Sequence, residues 1–480
     1  MEAMPTLSEL SRSIARAPCS AWDEVIISGI TEDSRRVQSG YLFVAITGYL
    51  DDGHRYIDEA IARGACAVVV ERATTCSVPL ICVSDARLAL SHLSAAFAGN
   101  PTRKLFTVGV TGTNGKTTVC HFIAHVLGEV KTALVTTVAN EQRNLHAVTT
   151  PGSPAIQQLA EIALLEGKAN FVLEVSSAGL ILKRVAGVDF DVAVFTNLTH
   201  DHLDFHIDRR RYLDAKLLLF RNLKVGACAI VNIDDPASKE VIASTNATVV
   251  TYGVHRSADF RAMNISYDPQ RTVFTLHANN NKVVTEVHLP GEHNVYNAVA
   301  AAAAGSAQGM SLQAISRALG ETHGVPGRYQ FFRANNGATV VVDFAHSPDA
   351  LEKMLQSLRP FHRKVICVFG CGGECDAEKR PMMGKISGEL ADFTILTNDN
   401  PKTEDREEII AQIEKGIQTT TGVYEKIVSR RQAIRRAITI AASGDVVLLA
   451  GKGHEPYQIV GHEFVPYSDA AFLREEQLAD

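Results

Sequence analysis

The 480-residue chain has no surplus of basic charge: 47 Lys and Arg stand against 53 Asp and Glu, a formal net charge of −6. Dedicated nucleic-acid binders usually carry a basic excess, so that class is excluded chain-wide, while a local basic pocket for phosphates is not. No run reaches the ~20 apolar residues of a membrane span. The most apolar stretch, Ala298–Ala304, is a short alanine-rich run. The nine cysteines are odd in number and follow no disulfide spacing, which points to reduced thiols in a cytoplasmic protein. The N-terminal residues lack a basic start followed by an apolar segment, so no secretory signal is expected. Fixed-period repeats and low-complexity segments are also missing. What is present is ordinary for a globular protein, 46% hydrophobic and 21% charged. At ~150 residues per domain the length predicts about three domains.

The order of elements gives an α/β fold. Val25–Ile30, Tyr41–Ile46 and Cys66–Glu71 read as strands, with a helix near Tyr56–Arg63. Asn100-Pro101 reads as a linker. A second unit opens at the strand Leu105–Val110 and alternates strands (TALVTT, FVLEVS, VAVFTN, ACAIVN) with helices, which predicts a mostly parallel sheet. Tyr252–Leu289 reads as an antiparallel insertion, and Val295–Gln308 as an alanine-rich helix. A third unit repeats the rhythm from Gly327 with TVVVDF, KVICVFG, FTILTN and DVVLLAG. The expected domains are 1–102, 103–326 and 327–480.

The strongest local signal is VGVTGTNGKTT, Val108–Thr118: an apolar strand, a glycine-rich turn and a helix start. Gly112 and Gly115 allow close backbone approach, and free N–H groups at a helix start bind phosphate. Lys116 supplies a point charge for the β/γ-phosphates, and Thr117 is placed to ligate Mg²⁺. The general GxxxxGK[ST] pattern asks for glycine where this chain has Val110.

Glu174 in FVLEVSS closes an apolar strand, where parallel sheets bind ligands. A hard carboxylate there suits Mg²⁺, although a solvated loop glutamate is the simpler reading of that residue alone. FTNLTHDHLDFH gathers His200, His202 and His206 with Asp201 and Asp204. The spacing is not that of structural zinc and no cysteine lies near, so His202 is taken as a ligand to a second Mg²⁺. Lys216 follows Tyr212 by four residues on one helix face, where an exposed lysine is the ordinary expectation.

Together these segments resemble the Mur ligases, ATP-dependent amide-forming enzymes of peptidoglycan synthesis. TGTNGKTT, EVSS, TNLTHDHLDFH, HNVYNA, PGRYQ, VVDFAHSPDAL, FGCGG, KRPMMG, DNPK and GKGHEPYQ follow the family's order along nearly the whole chain. The N-terminal TEDSRRVQSGYLFVAITGYLDDGH resembles the UDP-binding segment of the branch that adds the third amino acid, and DNPK its amino-acid motif.

The resemblance implies an N-terminal UDP-binding α/β domain, a central P-loop ATPase-like parallel-sheet domain and a C-terminal Rossmann-like α/β domain. It implies a monomer that takes ATP, UDP-MurNAc-L-Ala-D-Glu and an amino acid, meso-diaminopimelate above all, through an acyl phosphate. Nucleic acid and membrane are not implied. By the same matching, Lys116, Glu174, His202 and Lys216 are catalytic. Thr117 and Glu174 hold one Mg²⁺, and His202 with a carbamylated Lys216 serves a second. ATP falls to Gly112, Thr113, Asn114, Gly115, Lys116, Thr117, Thr118, Asn294, Asn297, Arg328 and Asp343, with His346 close by. Ser34 and the Gly48–Leu50 turn touch the uridine diphosphate, and Thr149, Thr150, Ser176 and Arg184 the muramoyl-dipeptide. Cys375, Asp399, Asn400, Pro401, Lys402, Gly451 and Glu455 frame the amino acid.

Four residues depart from the family pattern: Lys402 and Cys375 where the diaminopimelate-adding branch has arginines, Ala178 for a histidine, and Leu182 for a polar contact. Lysine keeps the charge but not the two-pronged fork. The ATP machinery keeps its pattern, so a paralogue that joins L-lysine, ornithine or another amino acid to this or another carboxylate is the second expectation. A P-loop motor or switch would not need DNPK and GKGHE, a degenerate binding module would not keep Lys116, Glu174, His202 and Lys216, and the folate-linking branch lacks the UDP-binding unit.

Overall fold

The computed structural model describes residues 4–14, 24–48, 51–143, 145, 148–201, 203–278, 280–322 and 324–479. His202 and the Tyr49-Leu50 half of the predicted UDP turn lie outside them. No helix among the described residues is long and apolar enough to cross a membrane.

Three β-sheets follow one another along the chain. The first has four parallel strands, Gly29–Thr31, Tyr41–Val44, Ala65–Val70 and Leu80–Cys82. Successive side chains of a strand point to opposite faces. Leu42 and Val44 therefore pack with Leu90 and Leu93 of helix Ala86–Phe97, while Phe43 and Val68 pack with Ile57 and Ala60.

The second sheet has nine strands. From edge to edge they are Asn281–Val287, Thr272–Ala278, Phe260–Tyr267, Thr248–Gly253, Cys228–Asn232, Val192–Phe195, Phe106–Thr111, Asn170–Glu174 and Thr132–Val135. The six from Thr248–Gly253 onward are parallel. The predicted insertion is smaller than the sequence suggested. Tyr252 belongs to a strand paired in parallel on both sides, and antiparallel pairing occurs only between Phe260 and Val287. Helices Lys116–Leu127 and Glu292–Ala307 cover one face. Alanines 298 and 300–304 are at most 2% exposed, and their small side chains let the two helices approach closely. Helices Ser153–Leu165 and Arg209–Arg221 cover the other face.

The third sheet runs Gln330–Arg333, Thr339–Asp343, Val446–Ala450, Val365–Phe369, Phe393–Leu396 and Tyr424–Lys426, with only the first strand antiparallel. A separate hairpin pairs Tyr457–Val460 with Glu463–Pro466. Ligands of parallel sheets gather beyond the carboxyl ends of the strands. Here the loops after Thr111, Glu174 and Phe195 in the second sheet converge with those after Asp343, Phe369, Leu396 and Ala450 in the third.

Candidate active site

The loops after Thr111, Glu174, Phe195 and Asp343, with the start of helix Glu292–Ala307, line a cavity of about 1150 Å³. At one end lies the glycine-rich turn. Gly115 is left-handed at φ 83°, and a Cβ there would come within 2.6 Å of the Asn297 side chain, so glycine is required. Helix Lys116–Leu127 starts directly after it with no side-chain cap, which leaves its first N–H groups facing the cavity. The Lys116 Nζ donates to the carbonyls of Gly112 at 3.1 Å and Thr113 at 2.8 Å. Burial pushes that ammonium below the ordinary lysine pKa, against the pull of Glu174 and Asp201.

Glu174 is 2% exposed and accepts from the hydroxyls of Thr117 and Thr137, each at 3.1 Å. Hydroxyl and carboxylate oxygens are the hard donors that Mg²⁺ prefers, so the donor set fits that ion. Lys216 is not on an exposed face. It is 1% exposed, its Nζ donates to the Gly112 carbonyl at 2.8 Å, and it sits 4.2 Å from the Tyr212 ring centre. Burial first, and the Lys116 ammonium second, push its pKa well below that of an ordinary lysine. Of the clustered histidines, His206 meets the Ser177 hydroxyl at 2.8 Å, and His200 lies 3.1 Å from Asp376 of the third unit.

The third unit reaches the phosphate loop directly. Arg328 donates to the Thr117 hydroxyl at 3.3 Å and lies 4.3 Å over the Phe344 ring. Asp349 accepts from the Asn114 amide at 2.7 Å. Asp343 lines the cavity but accepts from the backbone N–H groups of Tyr329 and Ala345, at 2.7 and 2.8 Å, and so holds the Arg328 turn in place. Asn294 donates to the Pro290 carbonyl and accepts from Asn297, which places both beside Gly115. His346 stands 3.9 Å from Asp201.

Beside Glu174, the Thr150 hydroxyl donates to the Glu174 carbonyl at 2.9 Å and meets the Ser176 hydroxyl at 3.0 Å. Arg184 donates to the Thr150 carbonyl at 2.8 Å, and Thr149 lines the cavity. Ser34 is set apart from this group and bonds to Glu59 at 3.2 Å. The structure thus brings Thr149, Thr150, Ser176 and Arg184 together and leaves Ser34 and Gly48 on the first sheet.

The residues expected to frame the amino acid lie outside the lining of that cavity, on loops of the third unit. Asn400 donates to Glu455 at 3.0 Å. Gly451 is left-handed at φ 104°, and a Cβ there would lie 2.4 Å from the Asp399 carboxylate. Burial raises the Glu455 pKa, with Lys452 pulling the other way. Lys402 is left-handed at φ 51°, and its backbone is pinned to the hairpin by bonds to Ile459 and from Gly461. Its Nζ lies 3.8 Å from the Cys375 sulfur. Pro401 precedes it, and a Cβ on Gly373 would fall 1.9 Å from the Pro401 carbonyl.

Sequence reasoning missed Lys452, which was quoted in GKGHEPYQ without a task. It is fully buried and saturated: its Nζ donates to Asn400 at 2.8 Å, and to Glu455 and the Tyr457 carbonyl at 2.5 Å each. It also missed Tyr457, whose hydroxyl donates to Glu141 of the second unit at 2.8 Å. A lysine three residues before a candidate glutamate was the available signal for the first. Nothing local marked the second.

Comparison with known proteins shows the family and the fold. The Mur ligase middle domain matches residues 110–305, the Mur ligase glutamate ligase domain 327–453, and the Mur ligase family catalytic domain 26–101. The UDP-N-acetylmuramoyl-L-alanyl-D-glutamate--2,6-diaminopimelate ligase of Geobacillus kaustophilus is 42% identical over 460 residues, 93% of this chain and 94% of that one. Its namesake from Clostridium tetani is 39% identical over 465 residues, 94% of this chain and 95% of that one. A solved ligase of the same name is 31% identical, covers 98% of each chain and superposes with a TM-score of 0.67. MurF of Acinetobacter baumannii shares the fold at 20% identity, with a TM-score of 0.69 over 99% of each chain. Matched domain by domain and nearly end to end, the chain belongs to the Mur ligase family.

Proposed function

We propose that this chain is an ATP-dependent amide ligase that adds the third amino acid, meso-diaminopimelate, to UDP-MurNAc-L-Ala-D-Glu in cytoplasmic peptidoglycan synthesis, acting as a monomer. One observation carries the reading. Arg328 of the third unit bonds to Thr117 of the phosphate-binding turn at 3.3 Å and lies 3.3 Å from His454, the residue before Glu455. Residues 1–102 would hold the UDP part, 103–326 the ATP, and 327–480 the amino acid.

The terminal carboxylate of the dipeptide attacks the γ-phosphorus of ATP, and ADP leaves. The amine of the incoming amino acid then attacks the acyl carbon of the acyl phosphate. Inorganic phosphate leaves, the amine loses a proton, and an amide remains. Gly112, Thr113, Asn114, Gly115 and Thr118 offer the loop and helix-start contacts for the phosphates, and Lys116 places charge where negative charge develops. Thr117 and Glu174 would hold Mg²⁺, which shields the phosphoryl oxygens when bound. His202 would serve a second ion. Burial and the Lys116 ammonium push the Lys216 pKa well down, which favours the free amine. A free amine can add CO₂ and release a proton, which turns Lys216 into an anionic carbamate suited to that second ion. Asn294, Asn297, Arg328 and Asp343 would complete the nucleotide site. Thr149, Thr150, Ser176 and Arg184 would orient the dipeptide, and Ser34 and Gly48 the uridine diphosphate. Asp399, Asn400, Gly451 and Glu455 would receive the ammonium of the amino acid, with Lys402 on its distal carboxylate. Closure of the third unit excludes water from the acyl phosphate.

Cys375 and Lys402 favour a second reading, in which the same reaction takes L-lysine or ornithine. Phosphate release from ATP and UDP-MurNAc-L-Ala-D-Glu, with each amino acid in turn or none, separates the readings. Turnover with diaminopimelate alone supports the first, and turnover with L-lysine or ornithine the second. Equal release without any amino acid sinks both.

A further inference from the structure

The acceptor end contains four cations: Lys379, Arg380, Lys402 and Lys452. Two hold several acceptors within the protein, although among the described residues the Arg380 Nε has none. Lys452 has its three acceptors. Arg380, 1% exposed, is clamped by Glu404, Gln412 and the Gly372 carbonyl at 2.8–3.0 Å. Lys402 points at the Cys375 sulfur.

Lys379 differs from all three. Its side chain is 7% exposed, yet among the described residues its Nζ donates no hydrogen bond. The nearest acidic oxygen, on Asp201 of the second unit, is 3.9 Å away. Asp376 does not fill the gap, because its carboxylate accepts from His200 at 3.1 Å and from the Glu378 N–H at 2.9 Å. The Nζ is not among the buried unpartnered atoms, so its donors are open to an anion, and a charge-assisted hydrogen bond there is about twice as strong as a neutral one. Burial does press on its pKa, but Asp201 and other neighbours hold it above the ordinary lysine value, so it stays charged.

The position narrows the anion. Lys379 opens helix Lys379–Leu390, four residues after Cys375. It lies near enough to Cys375 for that thiol to act on its charge. The phosphate end already has Lys116 and Arg328.

We propose that Lys379 binds the α-carboxylate of the incoming amino acid, taking over the task of the arginine that Cys375 replaces. This rests on the ligase reading above. Lys379 is a positioning residue for the acceptor, and with Lys402 it leaves the acceptor two single-point cations instead of two forks.

The test uses the full chain, with ATP, Mg²⁺ and UDP-MurNAc-L-Ala-D-Glu, on whichever amino acid the wild type turns over. Lys379→Met raises the acceptor KM about 10- to 100-fold, the worth of a charged hydrogen bond, with the KM for ATP unchanged. Lys379→Arg retains most of the affinity. Cys375→Arg added to Lys379→Met lowers the acceptor KM again, a rescue that a merely structural role would not show. Thermal melts confirm that each variant folds. An unchanged acceptor KM with a fallen kcat, or a double variant no better than Lys379→Met, overturns the inference and leaves the ligase reading standing. A wild type that turns over no amino acid overturns the ligase reading and this inference together.

Discussion

The phosphate site and the acceptor site are built differently. The phosphate end uses backbone: carbonyls and N–H groups of residues 112–118, a helix start, and side chains whose partners are neighbouring main chain. The acceptor end uses side chains on side chains, with Lys452, Asn400 and Glu455 in mutual contact and Lys402 set on a strained, pinned turn. A site made of backbone tolerates little change in sequence. A site made of side chains can be retuned one residue at a time, and two of the four departures expected from the family resemblance, Cys375 and Lys402, fall there.

That contrast can be broken most severely at Lys116. Lys116→Ala should lower kcat by about 10²- to 10³-fold, the usual loss for one preorganised donor to developing charge, and by the same factor for every amino acid that is accepted. Single-turnover phosphate release measures it. A loss that varied with the amino acid would mean the two ends are not separable.

The next effect is on stability beneath the acceptor end. Arg430 and Asp469, at most 2% exposed, form a two-pronged pair at 2.6 and 2.8 Å, and Arg430 also donates to the Ala450 carbonyl just before Gly451. Removing one partner of such a pair costs about 3–5 kcal/mol because the other charge stays buried. Arg430→Met should show this in urea unfolding, with a raised acceptor KM. An unchanged unfolding midpoint would remove the pair from the support of Gly451.

Lys402→Ala should be milder: about a 10- to 100-fold rise in acceptor KM with the KM for ATP unchanged. Lys402→Arg sharpens the comparison further, because a fork in place of a point charge should favour a planar carboxylate. If Lys402→Arg leaves the preference among diaminopimelate, L-lysine and ornithine unaltered, the fourth residue of DNPK does not select the acceptor.

The same contrast governs what was legible in the sequence. The phosphate turn, Glu174 and the strand ends follow short local patterns, and the structure places them where those patterns put them. Lys216 was misjudged from residues alone, since helical spacing does not say that the Gly112 carbonyl lies across from it. The insertion was overdrawn because β-branched residues serve parallel and antiparallel pairing alike, which left Tyr252 on the wrong side of the boundary. Lys379, Lys452 and Tyr457 depend on contacts between distant segments, so nothing nearby in the chain signals that one is saturated and another is not.

The smallest effect distinguishes the ends by pH. His121 and His293, on the nucleotide side, have pKa values lowered to about 4, chiefly by burial and next by the cations Arg328 and Lys353. In the unfolded chain each titrates near 6.5. Between those values the unfolded state binds more protons, so stability is fully present above pH 6.5 and is lost as pH falls toward 4. The limit is about 1.4 kcal/mol per pH unit for each histidine, and less in practice because both rings retain some exposure. Denaturant unfolding at pH 7.5, 6.0 and 5.0 should show the decline, and His293→Gln should flatten it. At the acceptor end the Glu455 carboxyl is shifted the other way, raised by burial. It therefore takes up its proton on folding sooner than a free glutamate does, and contributes stability in the acid range where the histidines withdraw it. A Glu455→Gln variant should accordingly steepen the decline that His293→Gln flattens, and equal slopes in the two variants would show that burial does not set the charge of the two ends in opposite directions.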